Sequence, residues 1–572
     1  MGFGMRSNSE RAKRANPARE HGFIFLGFLV LAIVATWPLA LHFTSSLPFE
    51  PSLPTMKGGD IWIHYWNLWW VKKALCELHA NPFFCRWAFY PNGVSLAHHP
   101  LNLAGALLSM PVHLLFGAPA AYNFLLTASF VLAGFFMYIL AYEITGSRVG
   151  AVVAGFIYTL APYHFQQWNH LEHVSIEWAP FFLFFFHRLI RAGRDCDLFG
   201  AILGFLLVFY TDLYVAVNVA VAGSILFLAF PPRRAPSLRA LVIFLAVVGI
   251  ATLPVTVPMI HAALTAAFLA PPRWVVEANG ADLVAFFVPP FYHPLWGQAA
   301  AAIYDRIAGF EKIAYLGFVP LVLSAIALRS SGQRRRKWAW GIIAAAGVFF
   351  SLGPVLQVGG VFLRGLPMPY GLLEKIPGLG AGRAPLRWLL LFHLGTAVLA
   401  AEAFRAGVKS SGRGVLLVAL VLLEFFPKVP VRLEPLGADP FYERLRTEPG
   451  EFAVIEVPVT EWPEKITYYQ TIHERPLPIG IPTFVPRTAY RFIAETPFLR
   501  ELYNPSLATP EKGRDYYRAG LRRLKENGFR YVIVHEGMLR EVTRARVRRL
   551  LEEVADLRCE YRSRALRVYR IE

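Results

Sequence analysis

Long runs of uncharged, apolar residues limit what this sequence can fold into more than any other feature. A helix needs about 20 apolar residues to cross the hydrocarbon core of a bilayer. Runs near that length predict spans at residues 22–43, 119–142, 149–163, 174–190, 198–211, 213–230, 240–261, 313–328, 338–357, 387–404 and 414–428. The pattern is typical of an α-helical polytopic membrane protein with about eleven transmembrane helices.

The composition agrees with this class and argues against others. Only 17% of the residues are charged, whereas soluble domains carry about 25%. The net charge of +18 could indicate a partner nucleic acid, but the basic residues form short clusters between the apolar runs. A nucleic-acid-binding protein would gather them on one face, so no nucleic acid is expected.

The basic clusters also orient the chain. Placing the N-terminus inside puts the clusters Arg188/Arg191/Arg194 and 334–337 in short cytoplasmic loops, as the positive-inside bias predicts. One further apolar segment, Leu101–Gly117, could be a span and would reverse the orientation of all that follows. The charge pattern favours placing that segment on the outer surface.

This orientation predicts three regions and puts most long loops on the non-cytoplasmic side. They are a basic cytoplasmic N-terminus at 1–21, a transmembrane domain at 22–428 with its first outer loop at 44–118, and an extracytoplasmic globular domain at 429–572. Loops carry function more often than the elements they connect, so the outer face is expected to do the chemistry.

The C-terminal region differs in pattern from the rest. Phe452–Val459 and Tyr531–His535 have strand character, Asp515–Lys525 has helical character, and apolar residues recur at helical spacing from Met538 to Val554. These segments predict a small α/β or α+β domain. It contains no nucleophile elbow, phosphate-binding loop or metal signature, which favours an accessory or acceptor-binding role over a second enzyme.

The four cysteines show no spacing typical of a zinc site. Cys76 and Cys85 share the first outer loop, where a disulfide is chemically permitted, whereas Cys196 is predicted on the reducing side. Pairing of Cys76 with Cys85 and two free thiols both remain open.

The most informative segment for function is 58–70, which follows the first outer linker. In a helix, Asp60, His64 and Asn67 fall within one narrow arc, and four tryptophans (Trp62, Trp66, Trp69 and Trp70) occupy the opposite side. Such a helix would lie at the membrane interface with its tryptophans against lipid or protein and its polar stripe facing a cavity.

A first span, an outer Gly59-Asp60, surface helices and the apolar segment Pro111–Gly117 together resemble the GT-C glycosyltransferases. The resemblance is to the branch of the protein O-mannosyltransferases and the lipid A aminoarabinose transferase. It covers about the first 230 residues and concerns architecture more than exact motifs. The later segment Ile376–Arg387 is similar to one found in bacterial relatives of that group.

The resemblance implies a carboxylate in the first outer loop that deprotonates the acceptor, and the matching residue is Asp60. The sugar would leave a polyprenyl-phosphate carrier for a lipid, glycan or protein acceptor. A carboxylate at a semi-dry interface is expected to have a raised pKa. A helix N-cap is the competing interpretation of Gly-Gly-Asp, and the side-by-side acids of some branches are absent because Ile61 follows Asp60.

The family often carries a second carboxylate in the next outer loop, which here is 162–173. Glu172 is the matching residue, flanked by His170 and His173. The histidines could orient substrate, contact phosphate or, with Glu172, bind a divalent metal, which is possible although no cofactor is certain. Ordinary polar loop chemistry is the alternative.

Three further residues are predicted to contact substrate. Asp212, in a tight outer turn, could shape the cavity or be a solvated turn residue. Arg383 and Arg387 stand at the outer mouth of the tenth predicted span. Their guanidinium groups could clamp the carrier phosphate or anchor to lipid headgroups.

The leading hypothesis is a multi-pass glycosyltransferase of the bacterial inner membrane, with a cytoplasmic N-terminus and an extracytoplasmic C-terminal domain. Asp60 and Glu172 would be catalytic, and substrate would contact His64, Asn67, His170, His173, Asp212, Arg383 and Arg387. The alternatives are a transporter or flippase of lipid-linked saccharide, and a non-catalytic membrane protein with an external polymer-binding domain. No internal repeat of the kind found in transporters is detected.

Overall fold

The computed structural model describes residues 17–49, 59–265, 271–375, 382–406, 411–459, 463–480, 485–504, 514–554 and 557–571. Its first helices are α1 (Pro17–Ala35), α2 (Asp60–Lys72), α3 (Leu103–Thr145), α4 (Arg148–Thr159), α5 (Pro162–Gln166), α6 (Leu171–Val174), α7 (Trp178–Ala192), α8 (Asp195–Thr211), α9 (Leu213–Ala229) and α10 (Ala235–Leu264). After these come α11 (Arg273–Ala278), α12 (Gly297–Tyr304), α13 (Phe318–Arg329), α14 (Arg334–Ser351), α15 (Tyr370–Leu373), α16 (Leu389–Ala406) and α17 (Ser411–Phe425).

Each predicted span overlaps one of these helices over most of its length, although several ends differ by five to eight residues, because the length of an apolar run is a local property of the sequence. Among the described residues, four helices are long and apolar enough to cross a membrane: Ala18–Ala35, Leu103–Thr145, Ala235–Ala262 and Pro385–Arg405. Shorter apolar helices cover Leu213–Ala229 and Phe318–Arg329. The fold is mostly helical with several apolar helices, and the count of eleven spans stays a prediction.

The ambiguous segment Leu101–Gly117 forms the first part of α3. The helix bends at Gly117, whose backbone has φ 86° and ψ 173°. Only glycine adopts such a conformation at little cost, and Pro119 follows it. The bend separates the first fourteen residues of α3 from the part that contains the predicted span 119–142. Leu114, Leu115 and Phe116, just before the bend, are largely exposed.

The C-terminal region adds a mixed sheet and further helices. These are α18 (Phe441–Thr447), α19 (Pro463–His473), α20 (Arg491–Glu495), α21 (Pro497–Tyr503), α22 (Arg514–Glu526) and α23 (Glu541–Arg548). The sheet has the order β7 (Ala453–Val457), β8 (Phe529–His535), β10 (Leu566–Arg570) and β9 (Cys559–Arg562). Strands β7 and β8 are parallel and the other pairs antiparallel. A second hydrophobic cluster surrounds this sheet, and the predicted boundary at residue 429 stays a prediction.

Three short antiparallel pairs complete the strands. They are β1 (Ser46–Phe49) with β6 (Arg432–Pro435), β2 (Phe84–Cys85) with β3 (Val94–Ser95), and β4 (Leu356–Val358) with β5 (Val361–Leu363). The first pair joins the start of the first outer loop to the chain leaving α17. Single turns of tighter or wider helix occur at Leu39–His42, Lys73–Glu77, Val284–Phe286, Pro385–Trp388, Arg487–Tyr490, Glu536–Met538 and Arg549–Val554.

The tryptophan face of α2 is buried against protein. Trp62, Trp66, Trp69 and Trp70 are each no more than 5% exposed, and Trp62 packs on Tyr468 of α19 with ring centroids 4.7 Å apart. The tryptophans therefore contact protein, which is one of the two environments expected for them.

Cys76 and Cys85 are both free, the first exposed and the second buried, so the permitted disulfide is not formed.

Candidate active site

The polar stripe of α2 meets the 162–173 segment, and this meeting point is the candidate active site. That segment consists of two short helices, α5 and α6, joined by a turn. Almost every side chain of the segment is buried. Glu172 is 2% exposed and His173 4%. Buried polar side chains need partners, and the polar residues of this segment find theirs within the protein, which favours a built site over a loop open to solvent.

Asp60 is the first residue of α2 and is hydrogen-bonded to His170. The His170 Nε2 donates to Asp60 Oδ2 at 2.8 Å, and the Asp60 side chain keeps 45% exposure. Gly59 occupies the cap position and no side chain caps the helix. The N-cap interpretation of Asp60 is therefore wrong, since its carboxylate is directed at His170.

The electrostatics of Asp60 also differ from the expectation. Withdrawal of solvent works to raise the pKa of Asp60, but the hydrogen bond and charge of His170, aided by His64 and Arg383, hold it well below its usual value. The pKa of His170 is raised in turn, because the effect of Asp60 outweighs that of burial. The expected raised pKa of Asp60 is wrong, and the two residues form an ion pair.

A second set of contacts links four of the predicted residues into a buried chain. His64 Nδ1 lies 2.9 Å from Glu172 Oε2, and Glu172 Oε1 lies 3.2 Å from His173 Nε2. His173 Nδ1 is hydrogen-bonded to Asp212 Oδ2 at 2.5 Å. Burial favours a neutral Glu172, but the neighbouring His64 and His173 hold its pKa well below the usual range. Carboxylates and imidazoles therefore alternate along the chain.

Asp212 reaches this chain because it separates α8 from α9. Its Oδ1 accepts a hydrogen bond from the backbone N–H of Tyr214, which caps the start of α9. The side chain of Asp212 is 2% exposed. Of the two roles considered, the geometry favours shaping the cavity over a solvated turn.

A cavity of about 410 Å³ opens beside these residues. Its polar end contains Glu172, His173, Asp212, Arg383 and Arg387. Its apolar wall comes mainly from α8, α9 and α10 and includes Phe205, Phe209, Val217, Val255 and Met259. Asp60 and His170 stand next to this polar end, where the charge of Arg383 reaches Asp60.

The two predicted arginines have different surroundings. Arg387 is 3% exposed, and its Nε donates to Glu311 Oε1 at 2.8 Å. Burial would raise the pKa of Glu311, but Arg387 lowers it to about 2. Within the part of the chain that the structure describes, the guanidinium of Arg383 has neither a carboxylate nor a hydrogen-bond acceptor. Arg383 is therefore the arginine available to an anion.

Asn67 does not line the cavity but holds two residues that do. Its Nδ2 donates to the carbonyl of Pro100 at 2.8 Å, and its Oδ1 lies 2.7 Å from His99 Nε2. Burial, with the charge of His64, lowers the pKa of His99 to about 3, so a neutral His99 donates to the amide. Both ends of the Asn67 amide are occupied, which argues against a direct substrate contact.

The arrangement of possible ligand side chains shows whether this site could bind a divalent metal. Among the described residues, no group of three His, Cys, Asp or Glu side chains could hold a metal ion. In the buried chain each carboxylate faces a histidine nitrogen. The possible site formed by Glu172, His170 and His173 is therefore not supported by its geometry.

Sequence patterns missed two residues of this site, Glu311 and Tyr214. Glu311 accepts from Gln167 Nε2 at 2.8 Å in addition to pairing with Arg387. The Tyr214 ring lies under the Arg387 guanidinium at 4.7 Å, and its hydroxyl accepts from the backbone N–H of Arg383. An acid in the outer loop just before a predicted span was the available signal for Glu311. Nothing local distinguishes Tyr214.

No protein-family model and no curated protein matches this sequence. Solved structures resemble it along most of its length. The archaeal oligosaccharyltransferase AglB from Archaeoglobus fulgidus, solved with an inhibitory peptide and a dolichol-phosphate, has a TM-score of 0.45 and 14% identity over 91% of this chain and 70% of that one. ArnT from Cupriavidus metallidurans in the apo state has a TM-score of 0.40 and 12% identity over 97% of this chain and 98% of that one.

Both proteins are members of the GT-C superfamily. The resemblance noted in the sequence is to this same superfamily.

Proposed function

We propose that this chain is an integral membrane glycosyltransferase of the GT-C type that moves a sugar from a polyprenyl-phosphate-linked donor to an acceptor at the outer leaflet. The lining of the cavity is the main support for this proposal. An apolar wall leads to a polar end where the Arg383 guanidinium has no partner among the described residues and Asp60 stands beside it. A polyprenyl carrier has an apolar chain and an anionic phosphate, so its two ends match the two ends of the cavity.

In this proposal Asp60 receives the proton of the acceptor. The acceptor oxygen or nitrogen attacks the anomeric carbon of the sugar and forms the new glycosidic bond. The bond from that carbon to the phosphate oxygen breaks, and its electron pair stays on the carrier phosphate. The low pKa keeps Asp60 ionised at neutral pH, so it is always ready to accept a proton although it is a weak base.

Arg383 balances the charge that develops on the departing phosphate. A guanidinium can donate two parallel hydrogen bonds to phosphate oxygens, which fixes both position and charge. Arg387 acts indirectly, because its charge is already balanced by Glu311. Its guanidinium packs on Tyr214, whose hydroxyl holds the backbone of Arg383. Three members of the buried chain, Glu172, His173 and Asp212, line the cavity directly.

A transfer assay tests the proposal. The purified protein would be placed in nanodiscs with polyprenyl-phosphate-linked monosaccharides and a panel of lipid, glycan and peptide acceptors. We expect one glycosylated product for each polyprenyl phosphate released. The transporter alternative predicts movement of intact donor across proteoliposomes without release of polyprenyl phosphate, and the scaffold alternative predicts neither event. Either of those results would overturn the proposal.

A further inference from the structure

Helix α19 of the C-terminal region lies alongside α2, the helix that carries Asp60. The two helices run in the same direction. Gly59 faces the side chain of Glu464, so closely that a Cβ on Gly59 would lie 3.2 Å from Glu464 Cγ. At the far end, Lys73 forms an ion pair with Glu474 at 2.5 Å. The pairing therefore extends from the catalytic end of α2 to beyond its last turn.

Gln470 is the central polar contact between the two helices. It is fully buried, and its Oε1 accepts from the indole Nε1 of Trp66 at 2.7 Å. Its Nε2 donates to the carbonyls of Trp87 and Arg475 at 2.8 and 3.2 Å. One amide thus joins α2, the first outer loop and α19. A buried amide with every polar atom paired permits a single orientation of its neighbours.

The other side of α2 is held by the active site. Trp66 is two residues from His64, so at about 100° per residue their side chains point to opposite sides of the helix. His64 contacts Glu172 and Asp60 contacts His170 on that second side. Rotation or sliding of α2 would break both sets of contacts together. Displacement of a catalytic group by about 1 Å can reduce a rate about 100-fold.

We propose that α19 positions Asp60 for catalysis and that Gln470, through Trp66, is the residue that fixes this position. This inference rests on the function proposed above. It gives one helix of the C-terminal region, α19, a positioning role in the reaction, in addition to any accessory or acceptor-binding role of the rest of that region. Gln470 is a positioning residue, because it touches neither the cavity nor the reacting atoms.

The test compares two variants with a matched control. Gln470→Leu removes the amide, and Trp66→Phe removes the indole N–H together with part of the buried ring. The two variants change packing at different places but share the loss of one hydrogen bond. Tyr517→Phe removes a buried hydrogen bond to Glu501 within the C-terminal region, away from α2. We expect kcat to fall 10- to 100-fold in the first two variants, with KM for the donor within twofold, and to stay within twofold in the control.

Two further measurements separate positioning from general loss of stability. The double variant Gln470→Leu/Trp66→Phe should be slowed by less than the product of the two single effects, because the Trp66–Gln470 hydrogen bond is lost in both single variants. Amide exchange in residues 60–72 should be faster in both single variants and unchanged in Tyr517→Phe.

The inference is overturned if kcat stays within twofold in both Gln470→Leu and Trp66→Phe while Asp60→Asn is inactive. It is also overturned if Tyr517→Phe is equally slow. Full activity of Asp60→Asn would instead reject the proposed function itself, so the two failures are distinguishable.

Discussion

At the scale of single residues, Arg383 and Arg387 are chemically identical and differ only in what faces their guanidinium groups. Arg387 is buried against Glu311, whereas Arg383 lines the cavity without a partner in the described residues. When one member of a buried ion pair is removed, the other charge is left unpaired and the protein loses stability. When an unpaired guanidinium that lines a cavity is removed, binding of the ligand is weakened instead. Substitution of Arg383 and substitution of Arg387 should therefore have different effects.

We expect Arg383→Gln to weaken binding of polyprenyl phosphate about 10- to 100-fold, because a charged hydrogen-bond donor contributes about 1.5–3 kcal/mol. Its thermal stability should be close to that of the unaltered protein. Arg387→Gln should lower stability by about 3–5 kcal/mol, since Glu311 stays buried without its cation. Native mass spectrometry and thermal unfolding in detergent measure the two effects. Equal loss of binding at unchanged stability in both variants would contradict this distinction.

The ion pair of His170 with Asp60 predicts the direction in which the stability of the protein changes with pH. The pKa of His170 is raised in the folded protein, so the stability it contributes is present below the ordinary histidine pKa and is lost as pH rises through the raised value. The stability difference between the protein and His170→Gln should therefore be largest in mildly acidic solution and should shrink at alkaline pH. Denaturant unfolding across that range measures it, with exposed His42→Gln as control. A difference that grows with pH would refute the ion pair.

At the scale of helices, the sequence predicts features that depend on neighbouring residues. It does not predict contacts between residues that are far apart along the chain. The helices of the predicted spans and the polar stripe of α2 depend on residues a few positions apart, and these predictions agree with the structure. Pairs such as Trp66 with Gln470 join residues 404 positions apart. Glu424 of α17 accepts from the backbone N–H groups of Phe318 and Val319 and so caps α13. No local pattern specifies such partners.

Close helix packing in the membrane domain depends on small residues that the pattern does not single out. Phe28 of α1 packs into a notch made by Gly134 of α3 and Gly155 of α4. A Cβ on Gly155 would lie 2.5 Å from the Phe28 ring and 2.7 Å from the carbonyl oxygen of Gly134. The backbones approach this closely only because glycine has no side chain.

Gly155→Ala should therefore destabilise the protein by about 1–3 kcal/mol, the usual effect of overpacking. Gly249→Ala is the matched control, because a Cβ there has nothing within 4 Å and alanine favours a helix over glycine. We expect a lower thermal midpoint in detergent for the first variant and an unchanged or higher midpoint for the second. Equal midpoints would show that α1 does not pack in the notch.

At the scale of the whole molecule, the arrangement is a helical body with exposed apolar sides. On α10, Val242, Leu245 and Ile250 are each at least 60% exposed, which is typical of a lipid-facing helix and unfavourable in water. Which end of this body faces the cytoplasm is not a property of the fold alone, and it rests on the distribution of Lys and Arg. The orientation therefore stays a prediction from the sequence.

The native cysteines give a direct test of orientation. Cys196 and Cys559 are both exposed, and the predicted topology puts them on opposite sides of the membrane. Variants that retain one cysteine each would be treated in intact cells with a membrane-impermeant maleimide. Cys559 should react at once, and Cys196 only after permeabilisation. The contacts of Asp60 with His170 and of His64 with Glu172 keep both loops on one side, so the reverse pattern would mean that the whole chain is inserted in the opposite direction and that the cavity opens to the cytoplasm.

In the proposed reaction one carboxylate, Asp60, receives the acceptor proton beside the cavity that would hold the carrier. The most direct measurement is single-turnover transfer with Asp60→Asn, compared with Asp305→Asn, an exposed acid in a predicted outer loop. We expect the rate to fall more than about 100-fold for Asp60→Asn while binding of polyprenyl phosphate and the thermal midpoint stay unchanged, and no effect of Asp305→Asn. Transfer by Asp60→Asn at the rate of the unaltered protein would contradict the account.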